Sequence, residues 1–376
     1  MDNSTTKIIN EIIDVFLLKG HLVYYDALKS GNINDTYSII TDYCGSPRQY
    51  LVQKLNHRVF RNPNEVAENI LAVTNHIEDK LFHNRVRDIR RRVIKLYVRP
   101  DGEYYYVSED GDYWRVMSYV INSETHNSAS TPALLRSVGD AFGEFQMYLS
   151  DFDAESLNVT IPDFHNTEKR FEDMRTAAEE DKLGRLADVK PEYDYLMSMR
   201  SYAPFFREKH EKGEIPLRVT HNDTKCNNVM FDASSSEHLA VIDLDTVMPG
   251  FVAHDFGDAV RFAANPGGED AEDLSSVRLD MNLFKAFASG FVPRINGMVT
   301  ERELDTLPEG VLCITLELAA RFLTDYLQGD VYFKCKKPNH NLLRTRAQTA
   351  LARDISKKLP VMHEELNELL KKPQKL

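Results

Sequence analysis

The chain holds 376 residues, with 46 Lys and Arg against 58 Asp and Glu and a formal charge of −12. That length is enough for two domains or for one large two-lobed unit with a substantial core. The acidic balance argues against nucleic acid or an anionic membrane as a partner, because both attract clustered positive charge.

The one basic run, "RVRDIRRRVIK" (85–95), is flanked by strand-like alternation and reads as a solvated loop or strand face. Cys44, Cys226, Cys313 and Cys335 show no paired spacing. They read as free thiols in a reducing compartment, with neither zinc nor a disulfide framework. The N-terminus, "MDNSTTKIINEIIDVFLLKG", is polar and acidic where a signal peptide is basic and then apolar. No run reaches the length of a bilayer span. The expectation is a soluble, cytoplasmic protein.

Ile8, Ile9, Ile12, Ile13, Phe16 and Leu17 recur at helical spacing and predict an amphipathic helix over 4–19. Strand patterns follow in "TYSIIT" (36–41), "YLVQKLN" (50–56), "EYYYVS" (103–108) and "YWRVMSYV" (113–120), separated by turn signals such as "CGSPR" and "EDGD". One helix, 62–81, interrupts them, with Pro63 placed to open it. From about 131 helices dominate, beginning with 133–152. The exception is a hairpin, "NNVMFD" (227–232) and "HLAVIDLD" (238–245), joined by the turn-forming "ASSSE". This order predicts a two-lobed α+β fold with a cleft: a β-rich lobe over 1–120, a hinge at about 117–122 and a helical lobe over 123–376.

The hairpin gives meaning to "VTHNDTKCNNVMFD" (219–232). The residue before the first strand of a hairpin and the residue after the second lie at one end. Asp223 and Asn228 are therefore expected to converge on Asp243 or Asp245. Two carboxylates and an amide form a hard-oxygen site of the kind that suits Mg²⁺ with substrate phosphates. Phosphoryl transfer needs such parts: a carboxylate for the acceptor hydroxyl, and an Asn and a second Asp for the metal. The literal Asp-Phe-Gly in "HDFGDAVRF" (254–262) is a trap, since it lies beyond the turn "MPG" and looks like a helix start. Asp255 and Asp258 there are expected to cap or brace the loop, with Asp243 as the metal residue and Asp245 as a plausible second contact.

These segments, "VTHNDTKCNNVMFD", "AVIDLDTVMPG" and "DFGDAVRF", resemble the aminoglycoside phosphotransferase and choline kinase superfamily. "GNINDTY" (31–37), "FHNTEKRFEDM" (164–174), "DKLGR" (181–185) and "RFLTDYLQGDVYF" (321–333) narrow the likeness to its N-acetylhexosamine 1-kinases. The resemblance implies a protein-kinase-like fold. It also implies transfer of the ATP γ-phosphate to the anomeric hydroxyl of an N-acetylated sugar, with Mg²⁺. It makes Asp223 the catalytic base, Asn228 and Asp243 the metal ligands, and Arg321, Asp330 and Tyr332 sugar contacts beside Asp223. His221 is expected to brace the loop. The nucleotide is placed beneath "SGNINDTY", with Gly31, Asn32, Asn34 and Thr36 as contacts, and against Ser118 and Val120 of the link "MSYVI" (117–121).

The β lobe departs from the general kinase pattern. It has no Gly-x-Gly-x-x-Gly, and its phosphate-pairing residue is either Gln53 or Lys54, which alternation puts on opposite faces. The usual helix partner is either Glu65 or Glu68. On the predicted helix 311–330, Glu317, Arg321, Thr324 or Asp325, and Gln328 fall near one stripe. By composition this is either a solvated face with a Glu317–Arg321 pair or a ligand-facing stripe, and the resemblance favours the latter for Arg321. Two alternatives stay open: a kinase of this fold with another acceptor (a different sugar, an amino alcohol or an aminoglycoside), and a non-catalytic binding pseudokinase.

Overall fold

In the computed structural model, residues 3–28, 34–56, 60–128 and 131–371 are described. They form two compact units. The first comprises 1–124, 156–162 and 231–248, and the second 125–155, 163–230 and 249–376. The chain opens with α1 (Asn3–Val15), β1 (His21–Leu28), β2 (Asp35–Tyr43), β3 (Ser46–Leu55) and α2 (Pro63–His83). Next come α3 (Ile89–Arg92), β4 (Tyr106–Val107), β5 (Tyr113–Ser118) and β6 (Ser123–Thr125). After them lie α4 (Pro132–Tyr148), α5 (Thr167–Glu180), α6 (Lys190–Ser198), α7 (Phe205–Glu211), β7 (Arg218–Thr220), β8 (Val229–Asp232), β9 (His238–Val241) and β10 (Met248–Gly250). The chain ends with α8 (Val252–Ala263), α9 (Met281–Ile295), α10 (Glu301–Asp305), α11 (Leu307–Gln328) and α12 (His340–Lys371).

In the first unit, the early alternation becomes an antiparallel sheet of order β1-β2-β3-β5-β4. One face carries Ile39, Tyr50, Val52, Trp114 and Val116, which pack with Ile9, Ile12, Ile13 and Phe16 from α1 into a single core. Strand pairing sets Thr36 opposite Gln53 and Gln53 opposite Arg115, so these three share the other face. β1 carries no strong alternation and is largely exposed at the sheet edge, and this strand is not among those expected from the sequence. Helix α2 begins at Pro63, as the sequence predicts, and its buried Asn69 donates to the carbonyls of Asn158 (2.8 Å) and Val247 (2.9 Å). The turn after β8 is closed by Asp232, which accepts from the backbone of Ser234 and Ser235 and pairs with Arg91. Those donors, first the Ser235 N–H and then Arg91, pull its carboxyl down to about 2.

The second unit is mostly helical, and its helices approach closely at glycines. A Cβ at Gly139 in α4 would lie 2.3 Å from the Phe287 carbonyl, and one at Gly290 in α9 would lie 2.1 Å from that of Arg136. A Cβ at Gly257 in α8 would likewise lie 2.4 Å from the Gly310 carbonyl of α11. In each case the obstacle is backbone, which cannot swing aside as a side chain can. Helix α11 is buried along most of its length, as its apolar composition predicts. Among the described residues, no helix is long and apolar enough to cross a membrane.

Gly290→Ala is expected to destabilise the protein by about 1–3 kcal/mol, because the added methyl must push α9 away from α4. Thermal unfolding followed by circular dichroism measures it. An unchanged melting temperature would mean that this spacing is not what holds the two helices.

Candidate active site

The loop between β7 and β8 lies in the second unit and is held from beneath by α8. Asp255, 1% exposed, accepts the backbone N–H groups of His221 and Asn222, both at 2.8 Å, and the Gln146 amide at 2.7 Å. Burial pushes its carboxyl above the ordinary range, while His221 and the N–H donors pull the other way. Thr224 donates its hydroxyl to the Asp255 carbonyl (2.6 Å) and its N–H to Asp258 (3.1 Å), and Arg261 pairs with Asp258 at 2.8 Å. Burial works against the Asp258 charge, yet Arg261 and Lys225 hold its carboxyl below the usual value. Asp255 and Asp258 therefore brace the loop, and the Asp-Phe-Gly string is the first turn of α8.

Within the loop, Asn222 adopts a left-handed conformation (φ 65°), which the Asp255 hydrogen bonds stabilise. His221 is buried against Phe142 and Phe145, and its Nδ1 accepts the Asp223 N–H at 3.2 Å. It fixes the backbone rather than presenting a proton. The Asp223 carboxylate is partly exposed and stands between two neighbours: Asn228 donates to Oδ2 at 3.0 Å, and the Lys225 ammonium pairs with Oδ1. Burial works to lower Lys225, but the negative charges of Asp223 and Asp258 raise it, so it stays a cation.

A second polar group runs from this loop to α11. Glu317 is buried and takes Thr167 Oγ1 at 3.0 Å and His165 Nδ1 at 3.1 Å. The solvated Glu317–Arg321 face of one sequence reading is therefore replaced by buried partners on another segment. Burial would raise Glu317, yet His165, Arg321 and His254 hold it below its ordinary value. His254 packs on His165 with ring centroids 5.1 Å apart, and its Nε2 has no partner among the described residues. Burial pushes this imidazole down to about 3.

Arg321 lies over the rings of Tyr332 (5.9 Å) and Phe333 (5.4 Å), and Tyr332 is 72% exposed. The segment after α11 is shaped by Asp325, whose carboxylate accepts the N–H groups of Val331, Tyr332 and Phe333 at 2.8–2.9 Å. Asp330 binds Arg185 (2.8 Å) through one oxygen and Asn341 (2.9 Å) through the other. Its carboxylate is thus engaged within the protein.

In the first unit, the face opposite α1 gathers several of the nucleotide candidates. Gln53 donates to Thr36 Oγ1 at 2.8 Å and accepts from Arg115 Nε at 2.9 Å. Lys54 lies on the α1 face, 2.6 Å from Asp112, so the two options of the sequence separate cleanly. Asn34 accepts the Asn56 N–H and donates to Asp245 at 2.7 Å. Asp245 is 3% exposed and pairs with Arg115 at 2.6 Å, which commits it to the interior rather than to a metal. Ser118 is bonded to Lys95 through both its N–H and its hydroxyl, and the Val120 carbonyl accepts from Ser123. Gly31 and Asn32 lie outside the described residues. Glu65 lies in the first turn of α2 and Glu68 accepts from Asn158, while Lys54 pairs with Asp112.

Each of the two residues read as metal ligands, taken by itself, offers a hard oxygen of the kind Mg²⁺ takes. Asn228 turns its amide nitrogen to Asp223, which leaves Oδ1 as the atom to meet a cation. Asp243 is exposed and holds a left-handed turn (φ 60°). Among the described residues, no three His, Cys, Asp or Glu side chains cluster as a metal cage. Mg²⁺ does not require one, since it takes one or two protein oxygens and completes its shell with phosphate and water.

Comparison with known proteins decides the family. The model for the phosphotransferase enzyme family, APH, matches residues 25–280, more than half of the chain. The chain belongs to that family. It is a small-molecule kinase, and the family implies ATP and, as a rule, a divalent metal. A choline kinase from Cryptosporidium parvum Iowa II shares its fold with a TM-score of 0.57 at 12% identity, over 98% of this chain and 100% of the other. An ethanolamine kinase from Plasmodium vivax gives 0.52 at 13% identity, over 89% and 84%. A choline/ethanolamine kinase family protein from Mesorhizobium loti gives 0.53 at 13%, over 98% and 99%. The protein-kinase-like α+β fold, with a small antiparallel-sheet lobe and a larger helical one, is the one expected from the sequence.

The sequence reading of this phosphotransferase passed over Arg115, Gln146, His165, Arg185 and Arg261. Lys225 stands two positions after Asp223, but a lysine at that spacing carries no signal by itself. Arg261 carried a weak signal, its three-residue spacing from Asp258 on one helix. Gln146 and Arg185 carried none, because their partners lie more than a hundred positions away.

Asp255→Ala leaves two backbone N–H groups and an amide without their acceptor, at about 1–3 kcal/mol for each buried group. Turnover should fall together with melting temperature, and a variant with parental kcat would show that the loop does not need this brace. For His254, the folded pKa of about 3 lies below the ordinary 6.5, so the unfolded chain takes up the proton first. Its contribution is complete above pH 6.5 and is lost as pH falls from 6.5 towards 3. His254→Phe should flatten that part of the melting temperature against pH curve, and an unaltered slope would assign the acid sensitivity elsewhere.

Proposed function

We propose that the chain is an ATP-dependent kinase that transfers the γ-phosphate to the anomeric hydroxyl of an N-acetylhexosamine, GlcNAc or GalNAc, giving the sugar 1-phosphate. The observation that carries the acceptor class is Arg321. A guanidinium lies over Tyr332 and Phe333, while the nearby carboxylates Glu317, Asp325 and Asp330 are all bonded within the protein. A cationic acceptor such as choline or an aminoglycoside would meet a positive charge with no answering carboxylate on this segment. A neutral sugar finds donors for its hydroxyls and ring faces for its apolar side. The resemblance to N-acetylhexosamine 1-kinases supplies the narrower choice.

In this reading the sugar contacts Arg321 and Tyr332, with Asp330 bracing them through Arg185 and Asn341. Asp223 accepts the proton of the anomeric hydroxyl as that oxygen bonds to the γ-phosphorus. The bond between phosphorus and the bridging oxygen breaks, and ADP leaves. Lys225 supplies a positive neighbour to Oδ1, and Asn228 holds Oδ2 in place. Asn228 and Asp243 would hold Mg²⁺, which when bound neutralises phosphate charge. Thr36 and Gln53 line the nucleotide's side of the reaction, and Ser118 and Val120 the adenine's. The protein contributes mainly positioning and fixed charge.

Asp223→Asn should lower kcat by about 100- to 10,000-fold while leaving sugar affinity nearly unchanged. Parental turnover in that variant would remove Asp223 from the role of base. The acceptor is tested by offering GlcNAc, GalNAc, glucose, galactose, choline, ethanolamine and kanamycin side by side with ATP and Mg²⁺, with phosphorus NMR to locate the new phosphate. A 1-phosphate made mainly from the N-acetylated sugars is the expected result. Phosphocholine or phosphoethanolamine as the main product would replace the sugar reading with an amino-alcohol one.

A further inference from the structure

Arg115 on β5 is 1% exposed, an unusual place for a guanidinium, and the residues around it are specific. Its Nη2 stands 2.6 Å from Asp245 Oδ1, and its Nε donates to Gln53 Oε1 at 2.9 Å. Its Nη1 has no partner among the described residues. Asp245 is pinned from a second side by the Asn34 amide at 2.7 Å. Tyr105 lies close by, but burial pushes its phenol up to about 12, so it stays neutral and the carboxylate is left to answer the charge. Burial works against Arg115, yet the Asp245 carboxylate above all, with Asp243 beside it, keeps it a cation.

Such a pair is not needed for stability, since a buried ion pair is often no better than apolar side chains of the same volume. What it does supply is direction. Asp245 is the middle residue of the short 3₁₀ turn Leu244–Thr246, and Asp243 precedes that turn in a left-handed conformation with φ 60°. Asp tolerates that conformation better than most residues, and its surroundings decide whether it is kept. The contacts of Asp245, two positions away, fix the course of the same turn. Lys54 is on the opposite face and engaged by Asp112, so the buried cation of this face comes from β5 and not from β3.

We propose that Arg115 is a positioning residue for the metal-binding turn: by tying Asp245 to β5 it holds Asp243 in the conformation that receives the metal–nucleotide complex. This rests on the reading of Asp243 as a metal ligand. Gln53 fixes the guanidinium plane through Nε, and Thr36 fixes Gln53 in turn, so the nucleotide candidates of this face act as a support for Asp243.

Arg115→Lys keeps the charge and removes the fork. Binding of Mn²⁺ in the presence of ADP, followed by loss of the free-ion EPR signal, should weaken about 10- to 100-fold, with metal-free ADP affinity and the acceptor KM within about twofold of the parent. Parental Mn²⁺ binding overturns the proposal. Asp243→Asn separates it from the reading beneath it. If that variant binds Mn²⁺ normally, the assignment of Asp243 fails; if it loses binding while Arg115→Lys does not, only the inference about Arg115 fails. Should Arg115→Lys not fold, the double variant Arg115→Met with Asp245→Leu removes both buried charges together. A folded double variant that still binds Mn²⁺ weakly supports the positioning role. One that binds as the parent does overturns it, and so does one that cannot fold, because the pair would then serve stability.

Discussion

The loop that carries Asp223 depends on one buried carboxylate, Asp255, which collects two consecutive backbone N–H groups and a side-chain amide. A charge at that depth would be costly alone. It is tolerated because its oxygens are bonded and because it lies in the first turn of α8, where the helix dipole favours a negative group. In return it holds Asn222 in the left-handed region, which redirects the chain so that His221 turns inward and Asp223 turns outward. The next turn of α8 repeats the device, with Asp258 taking the Thr224 N–H and Arg261 answering its charge.

Carboxylates shape backbone elsewhere in the molecule. Asp325 gathers the N–H groups of three successive residues after α11, and so sets the course of the segment that bears Tyr332. In the first unit, Asp245 receives Asn34 and Arg115 beside the Asp243 turn. The acidic side chains of the site regions thus divide by burial. Asp245, Asp255 and Asp325 are buried and organise their surroundings, whereas Asp223 is partly exposed and Asp243 exposed. Chemistry needs the second kind, since a substrate or a cation can reach only a carboxylate that is open to solvent. The same reasoning separates Asp330 from Tyr332 on the acceptor side.

Much of this was legible in the sequence. The spacing of Asp223 and Asn228 before one strand pattern, with Asp243 after the next, identifies phosphotransfer chemistry, because those distances are set by a loop and a hairpin. Helix α2 opens at Pro63 and α11 runs where an all-round apolar segment requires burial. The bracing role of Asp255 is legible despite its Asp-Phe-Gly disguise, since "MPG" separates it from the strand. β1 was missed, because as an exposed edge strand it lacks the alternation that burial on one face imposes.

What the sequence determined by itself is local: which segments are helices and strands, and which short loop gathers the polar side chains between two strands. Periodicity reports neighbours two, three or four positions apart, and loop chemistry reports those within one turn. Only the tertiary structure decided that Gln53, and not Lys54, shares a face with Asp245, and that the cation there is Arg115. That pairing joins residues 62 positions apart and exists because β3 lies next to β5 in the sheet. Only the tertiary structure decided, too, that Glu317 turns to His165 and Thr167 instead of Arg321. A helix face looks the same in sequence whether water or another segment covers it, and burial alone chooses between them.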